Sequence, residues 1–320
     1  MKILDNDIDV DVIGFGALNL DKLYNVDSIA CNDCESFIKS EKDTPGGSAA
    51  NTIIGLSKLG LKTSIIGKIA EDSDGEVIEL NLALNEVYTN NLIYSEKGNT
   101  GKVLGFVDSK GNRGLYVDPG VNDEIAIGEI NPKNINTCKI MHYTSFVGDS
   151  FNTQIKLLEK LNEDILLSFD PGMIYVKKGL KDLLPILNRT NILLINETEL
   201  RLLYEDYYKA IDGVNSLSLK EIAIHILDDG IETVVVKKGS SGVFAIDSQE
   251  ECDVEAFSSN VVDTTGAGDS FNSGFLYGLL NAYSLEKSCK IGNWVASKAI
   301  EGFGMEKFPS KSDLIAFLKD

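Results

Sequence analysis

The residues best suited to chemistry lie near the carboxyl end of the chain, in the run Asp263-Thr-Thr-Gly-Ala-Gly-Asp-Ser-Phe271. Apolar residues recur at helical spacing after this run, so the sequence predicts that Gly266-Ala-Gly268 opens a helix. Glycine has no side chain and lets the backbone approach a ligand closely. The free N–H groups at a helix start point outward, and the helix dipole adds positive potential there. The run therefore predicts a binding site for phosphate.

Asp269 places a carboxylate beside this expected phosphate site. A carboxylate next to a phosphate costs free energy because the two negative charges repel. A functional role for the carboxylate would explain why it is there. A base at this position could take the proton from an attacking hydroxyl group. The alternative is that Asp269 only caps the helix, which explains most aspartates at helix starts. The residues alone leave both roles open.

Two further glycine-containing runs could line a site. Pro45-Gly-Gly-Ser-Ala-Ala-Asn51 opens a second helix with an amide on its first turn, although such starts are often only turn or packing devices. Gly14-Phe-Gly16, followed by Asn19 and Asp21, ends the first strand, where open α/β sheets bind ligands. Because position 19 is Asn and not a third glycine, a dinucleotide site is disfavoured. The chain also lacks the GxxxxGK[ST] run of a P-loop.

Two shorter motifs follow later strands. Asn196-Glu-Thr-Glu199 puts an amide and a carboxylate one helical turn apart, a pair that could hold the water shell of Mg²⁺. Helix capping with a solvated acidic face is the alternative. Val236-Lys-Lys-Gly-Ser-Ser-Gly242 predicts a glycine turn between two strands. Such a turn is ordinary in a hairpin, but a flat glycine loop also suits an adenine nucleotide.

Strand and helix patterns alternate along most of the chain, which predicts a mostly parallel sheet covered by helices on both faces. We therefore expect a three-layer α/β/α, doubly wound fold that forms a single domain over residues 1–320. A strand-rich patch at 242–262 precedes three closing helices. Two polar, hairpin-like segments, at about 17–45 and 98–120, do not fit the large sheet. We expect them to form one small β lid.

Composition restricts the partners. The chain has 320 residues, of which 43% are apolar, enough for a real core. It carries 30 basic against 49 acidic residues, a formal net charge of −19 at pH 7. This charge argues against nucleic acid or an anionic membrane surface as a partner, because phosphates would be repelled.

Targeting signals and cysteines point to a cytoplasmic protein. No apolar run is long enough to span a bilayer, and the first residues lack the pattern of a signal peptide. Five scattered cysteines favour a reducing compartment. Cys31 and Cys34 form one CxxC pair, for which a structural or incidental role outweighs a metal or redox role. With His only at positions 142 and 225, a histidine-rich metal site is disfavoured.

In this order, the motifs resemble those of the ribokinase-like (PfkB) family of carbohydrate and nucleoside kinases, over about residues 10–309. DTTGAGDSF at 263–271 is highly specific for that family, and PGGSAAN at 45–51 resembles its other signature. NETE at 196–199 and KKGSSG at 237–242 are similar to its NxxE element and nucleotide loop. The resemblance implies ATP-dependent transfer of the γ-phosphoryl group to a hydroxyl of a ribose- or fructose-type sugar.

The resemblance also implies roles for individual residues. Asp269 would be the catalytic base, and the backbone of Gly266, Ala267 and Gly268 would form an anion hole. Sugar hydroxyls would be bound by Asn19, Asp21, Gly46, Gly47 and Asn51. Mg²⁺ would be held through water by Asn196 and Glu199, and ATP would lie along Asn196, Lys238, Gly239, Gly242 and Asn293. A monovalent cation such as K⁺ would lie by Asp263, Thr265 and the carbonyls near 299–304.

The acceptor is left open by the sequence. Ser48 stands where ribokinases often carry a lysine, which keeps a nucleoside such as adenosine, inosine or cytidine as the alternative. Lid residues such as Phe106 and Tyr116 could shield a sugar or stack on a base. A binding protein that kept the fold and lost turnover is a further alternative, and an oxidoreductase is a poor third. Because open strand edges seek partners, we expect a homodimer formed through the lid.

Overall fold

The structure is a computed structural model that describes residues 9–110 and 112–319. In these residues the strands are β1 (Val12–Phe15), β2 (Asn19–Val26), β3 (Ile38–Gly46), β4 (Thr63–Ala70), β5 (Leu92–Ser95), β6 (Gly101–Asp108), β7 (Arg113–Asp118), β8 (Ile140–Thr144), β9 (Leu166–Asp170), β10 (Ile192–Asn196), β11 (Thr233–Lys237), β12 (Val243–Asp247) and β13 (Glu251–Val254). The α-helices are α1 (Ser48–Lys58), α2 (Ser73–Leu84), α3 (Pro132–Ile135), α4 (Ser150–Leu158), α5 (Gly172–Val176), α6 (Leu180–Leu187), α7 (Glu197–Leu200), α8 (Asp206–Asp212), α9 (Leu219–Asp228), α10 (Ala267–Leu280), α11 (Leu285–Ala299) and α12 (Lys311–Lys319).

The large sheet has nine strands in the order β13-β12-β11-β10-β9-β8-β1-β4-β5. Its pairs are parallel except for β11 with β12 and β12 with β13. Every residue of β1 and of β4 is buried, as expected for strands that are covered on both faces. Helices α1, α2, α10 and α11 contribute to one hydrophobic cluster, and α4, α5, α6, α8 and α9 contribute to another. The predicted α/β fold is confirmed.

The second sheet, which we call the lid, has the order β3-β2-β6-β7. Two antiparallel pairs, β2 with β3 and β6 with β7, are joined by the parallel pair of β2 and β6. Its strands come from the two segments that the sequence separated from the large sheet. The lid strand β3 is mostly exposed, which explains its polar sequence.

Two details differ from the sequence-based expectation. The strand-rich patch expected at 242–262 ends at Val254, because β13 is an edge strand from which the chain must leave the sheet to reach α10. Cys31 and Cys34, in the loop that connects β2 to β3, are joined by a disulfide. The expectation of a reducing compartment did not predict this bond. Among the described residues, none of the helices is both long and apolar enough to cross a bilayer.

The order of the strands fixes where a ligand can bind. From β1 the chain builds β4 and β5 on one side, and it later returns to place β8 on the other side of β1. In open α/β sheets this change of direction leaves a crevice at the carboxyl ends of the two strands. The lid strand β2 begins at Asn19, four residues after β1 ends at Phe15, so the lid stands at this crevice.

Candidate active site

Two helices begin side by side at the crevice. The residue before α1 is Gly47, whose φ of 112° suits glycine, and a Cβ there would lie 2.1 Å from the carbonyl oxygen of Ala17. The residue before α10 is Gly266, with a left-handed φ of 73°. The first turns touch, because Asn51 Nδ2 donates to Asp269 Oδ2 at 2.9 Å. Both helix dipoles therefore place positive potential near Asp269.

Asp269 has the electrostatic environment of a base. Burial raises its pKa to about 6, with a further contribution from the nearby Asp170 carboxylate. The hydrogen bonds from Asn51 and Ser48 and the charge of Lys237 act in the opposite direction. A carboxylate with this pKa is mostly ionised at neutral pH and accepts a proton more readily than an ordinary aspartate.

Two cavities meet at the start of α10. The first, which we call the lid cavity, has a volume of about 270 Å³ and is lined in part by Asn19, Asp21, Gly47, Asn51, Gly266 and Asp269. The second, the loop cavity, lies against residues 256–261, has a volume of about 480 Å³ and is lined in part by Lys237, Gly239, Gly242, Ala267, Gly268 and Asn293. The first turn of α10 is therefore the wall between the two cavities.

The lid cavity has a polar floor. Burial, and then the charge of Asp269, raise the pKa of Asp21 to about 7. Gly46 leaves room for this carboxylate, since a Cβ there would lie 2.5 Å from Asp21 Oδ2. Asn19 Oδ1 accepts from Asn122 Nδ2 at 3.0 Å. Sequence reasoning missed Asn122 and Asp123, which also line the cavity and follow the lid without a recognisable motif.

The lid turns its aromatic residues away from this cavity. Tyr24 stacks on Phe106 with 5.2 Å between ring centres, and Tyr116 contacts Phe106 edge-on. The cavity is lined instead by Val103 and Val117, which pair with each other across β6 and β7. Because successive side chains of a strand point to opposite faces, Tyr116 and Val117 cannot both face the cavity. The expectation that Phe106 and Tyr116 shield the ligand is wrong.

The loop cavity contains three of the expected nucleotide residues, Gly239, Gly242 and Asn293. Gly242 has a φ of 89°, and a Cβ there would lie 2.0 Å from the carbonyl oxygen of Val254. Asn293 Nδ2 donates to the carbonyl oxygens of Val254 and Glu255, so it holds the chain where it leaves β13. The cavity wall therefore depends on both residues.

The structure does not bring Lys238 to the loop cavity. Its ammonium lies 2.6 Å from Asp253 Oδ1 on the neighbouring edge strand β13. The preceding residue, Lys237, lines the cavity instead. Sequence reasoning missed Lys237, although its position next to Lys238 at the end of a strand was a signal.

Asn196 and Glu199 stand at the end of β10 and form a reciprocal helix cap. Asn196 Oδ1 accepts from the Glu199 backbone N–H at 2.9 Å, and Glu199 Oε2 accepts from the Asn196 N–H at 3.2 Å. Burial, and then the charge of Asp170, raise the pKa of Glu199. A carboxylate has about four acceptor positions, so the cap leaves room for water. Their oxygen donors therefore fit a hydrated Mg²⁺.

Asp263 and Thr265 lie close together before the first turn of α10. Asp263 Oδ1 accepts from the Thr265 backbone N–H at 3.0 Å and from its hydroxyl at 2.8 Å. Arg113 of the lid places its guanidinium 3.5 Å from the same oxygen. This oxygen already accepts two hydrogen bonds and forms an ion pair with Arg113, which does not favour K⁺. The monovalent-cation site stays a prediction.

A helix start between two cavities, with a carboxylate on its first turn, could present a phosphoryl group to an alcohol. Residues 11–311 match the model of the pfkB family of carbohydrate kinases, and the chain belongs to that family. It is 40% identical to an uncharacterized sugar kinase of Archaeoglobus fulgidus over 78% of this chain and 96% of that protein. It is 30% identical to a nucleoside kinase of Methanocaldococcus jannaschii over 91% of this chain and 90% of that protein.

Solved structures share the fold over nearly the whole chain. A ribokinase from Thermotoga maritima superposes with a TM-score of 0.83 at 23% identity, covering 97% of this chain and all of that one. The nucleoside kinase of Methanocaldococcus jannaschii superposes with a TM-score of 0.82 at 26% identity, covering 98% and 99% of the two chains. These neighbours place the fold in the ribokinase-like class.

Proposed function

We propose that the protein is an ATP-dependent kinase that transfers the γ-phosphoryl group to a hydroxyl of a sugar, with Asp269 as general base. The observation that carries the proposal is the position of α10 between the two cavities. Gly266 and Asp269 face the lid cavity, and Ala267 and Gly268 face the loop cavity. An acceptor in the lid cavity and a nucleotide in the loop cavity would meet at this turn.

In the proposed reaction the acceptor oxygen attacks the γ-phosphorus, its proton passes to Asp269, and the bond to the β-phosphate oxygen breaks to release ADP. The backbone N–H groups at the start of α10 stabilise the charge that develops on the phosphoryl oxygens. Mg²⁺ bound with the nucleotide would neutralise phosphate charge, with Asn196 and Glu199 holding its water. The lid over the acceptor would exclude water and so limit hydrolysis of ATP.

The charges in the lid cavity support an acceptor without negative charge. Three carboxylates line it, those of Asp21, Asp123 and Asp269, and no lysine or arginine is among the described residues that do. Placing like charges together costs several kcal/mol. A sugar that already carries a phosphate or a carboxylate would therefore be disfavoured.

A nucleoside remains the second candidate acceptor, and the rim of the lid cavity favours it. Val117, Val147 and Ile174 line the cavity and stay 50%, 45% and 44% exposed. Apolar surface at the edge of a polar pocket suits a ligand with an apolar end. The ribose of a nucleoside would lie on the polar floor, and its base would cover these side chains.

A coupled ADP-release screen over pentoses, hexoses, their phosphates and nucleosides tests the proposal. We expect turnover with at least one neutral acceptor, and a kcat/KM at least about 100-fold lower for its phosphorylated counterpart, as a like-charge penalty of several kcal/mol implies. Tight acceptor binding by calorimetry without ADP production across the panel would favour the alternative of a binding protein without turnover. Equal rates for neutral and phosphorylated acceptors would contradict the charge argument.

We also propose that two copies of the chain pair through their lids, in the cytoplasm as the sequence predicts. The outer face of the lid carries the aromatic residues Tyr24, Phe106 and Tyr116, and Tyr116 is 66% exposed. Exposed apolar surface beside open strand edges favours association. Sedimentation should therefore give twice the chain mass of 34.8 kDa, and Tyr116→Glu should shift it toward the monomer. A wild-type monomer would refute the proposal.

A further inference from the structure

A buried polar cluster lies behind the first turn of α10. Lys237, at the end of β11, places its ammonium 2.6 Å from Asp170 Oδ2, at the end of β9. Asn272 of α10 donates to the same carboxylate oxygen at 2.7 Å, and its own Oδ1 lies 3.3 Å from the Lys237 ammonium. Burial by itself raises the pKa of Asp170, but Lys237 and Asn272 together bring it below its usual value. Asp170 is therefore held as a carboxylate.

The ammonium of Lys237 also reaches the cavity side of α10. A Cβ placed on Gly268 would lie 3.5 Å from the Lys237 Nζ, and both residues line the loop cavity. An ammonium has three N–H donors. Among the described residues, Asp170 Oδ2 and Asn272 Oδ1 accept two of these hydrogen bonds. The third is available to a ligand at Gly268.

A phosphate ligand at this point requires a nearby positive charge. Lys237 lies near three carboxylates. Its charge lowers the pKa of each of them, and these are Asp170, Glu199 and Asp269. A phosphoryl group that arrives at α10 adds more negative charge. The helix dipole and the backbone N–H groups offset only part of it, because they carry partial charges. Lys237 supplies a full positive charge here, because its ammonium lies 3.5 Å from where a Cβ on Gly268 would be.

We propose that Lys237 binds the phosphoryl group that is transferred, and that Asp170 and Asn272 are positioning residues that hold its ammonium beside Gly268. The inference rests on the proposed kinase function and gives Lys237 a role that the resemblance did not assign to it. The competing explanation is that Lys237 only neutralises the buried Asp170 and stabilises the fold.

The Lys237→Met variant tests the first part. It keeps the length of the side chain and removes its charge, so kcat should fall by about 10²–10³-fold, the usual effect of removing one donor to a developing anion. Acceptor binding measured by calorimetry should stay unchanged. The variant leaves Asp170 buried without its cationic partner, so we also expect a lower temperature of unfolding.

The double variant Lys237→Met/Asp170→Asn separates the two explanations. It removes both charges, so the unfolding temperature should recover toward that of the wild type while kcat stays low. Recovery of kcat together with stability would overturn the proposal, because Lys237 would then only neutralise Asp170. The matched comparison is Lys238→Met, where loss of the exposed pair with Asp253 should change kcat by less than about threefold.

Nucleotide binding separates failure of this inference from failure of the proposed function. Calorimetry with the full chain should show that Lys237→Met weakens binding of ATP at least tenfold and leaves binding of AMP unchanged, because only the phosphate end touches Lys237. This result is expected even if no acceptor is turned over. Equal ATP affinity in the wild type and the variant would contradict a phosphate contact.

Discussion

Replacing Asp269 by Asn will lower kcat by about 10²–10⁴-fold and leave acceptor binding nearly intact, because an amide keeps the shape of the carboxylate but cannot take the proton of the hydroxyl. The neighbouring Asn51, which donates to Asp269 at 2.9 Å, can still hydrogen bond to the amide oxygen. The loss should therefore appear in kcat and not in the KM for the acceptor. Coupled ADP release gives both constants, and calorimetry gives acceptor affinity.

Asp313 offers a matched control for this substitution. It is the third residue of α12, just as Asp269 is the third residue of α10, and its carboxylate accepts from the Ser310 N–H at 2.8 Å. Asp313→Asn should leave kcat unchanged, because α12 lines neither the lid cavity nor the loop cavity. If Asp269→Asn kept wild-type kcat as well, Asp269 would be only a helix-start residue and the proposed base would be wrong.

The second large effect is the dependence of the rate on pH. Asp269 works as a base only when it is ionised, and burial raises its pKa to about 6. As the pH falls through about 6 the base becomes protonated, so kcat/KM should drop by roughly tenfold for each further pH unit. At higher pH the base is ionised and the rate should level off. Initial rates measured across both pH ranges give the apparent pKa of the group that must be ionised. We call the falling part of this profile the acid limb.

Two comparisons identify the group that causes this acid limb. The residual activity of Asp269→Asn should lack the limb near 6, and a limb that remains near 7 would instead report Asp21. Circular dichroism at each pH should show that the protein stays folded over the range measured, which excludes acid unfolding as the cause. A limb near the ordinary aspartate pKa of about 4 would show that burial does not tune Asp269 in solution.

Local sequence patterns were sufficient for much of the fold. The runs of buried apolar residues in β1 and β4, and their alternation with helices, indicate a parallel sheet because both faces of such strands must be covered. The glycine runs ahead of apolar residues at helical spacing indicate the starts of α1 and α10, and the structure gives Gly47 and Gly266 the positive φ angles that glycine tolerates. These features depend on neighbours in the chain. The parallel pairing of β2 with β6 joins distant segments, and no local pattern indicated its register.

The sequence by itself determined which residue types could perform phosphoryl transfer and which helix starts would present them. Only the tertiary structure decided that Lys237 and not Lys238 reaches the loop cavity, and that Val117 and not Tyr116 reaches the lid cavity. For Val117 the reason is the two-residue repeat of a strand, in which neighbours point to opposite faces. Lys238 lies beyond the end of β11, and its ammonium pairs with Asp253 of β13. The long-range packing of the sheets decides which face of a strand meets a cavity. The local sequence of the strand does not specify it.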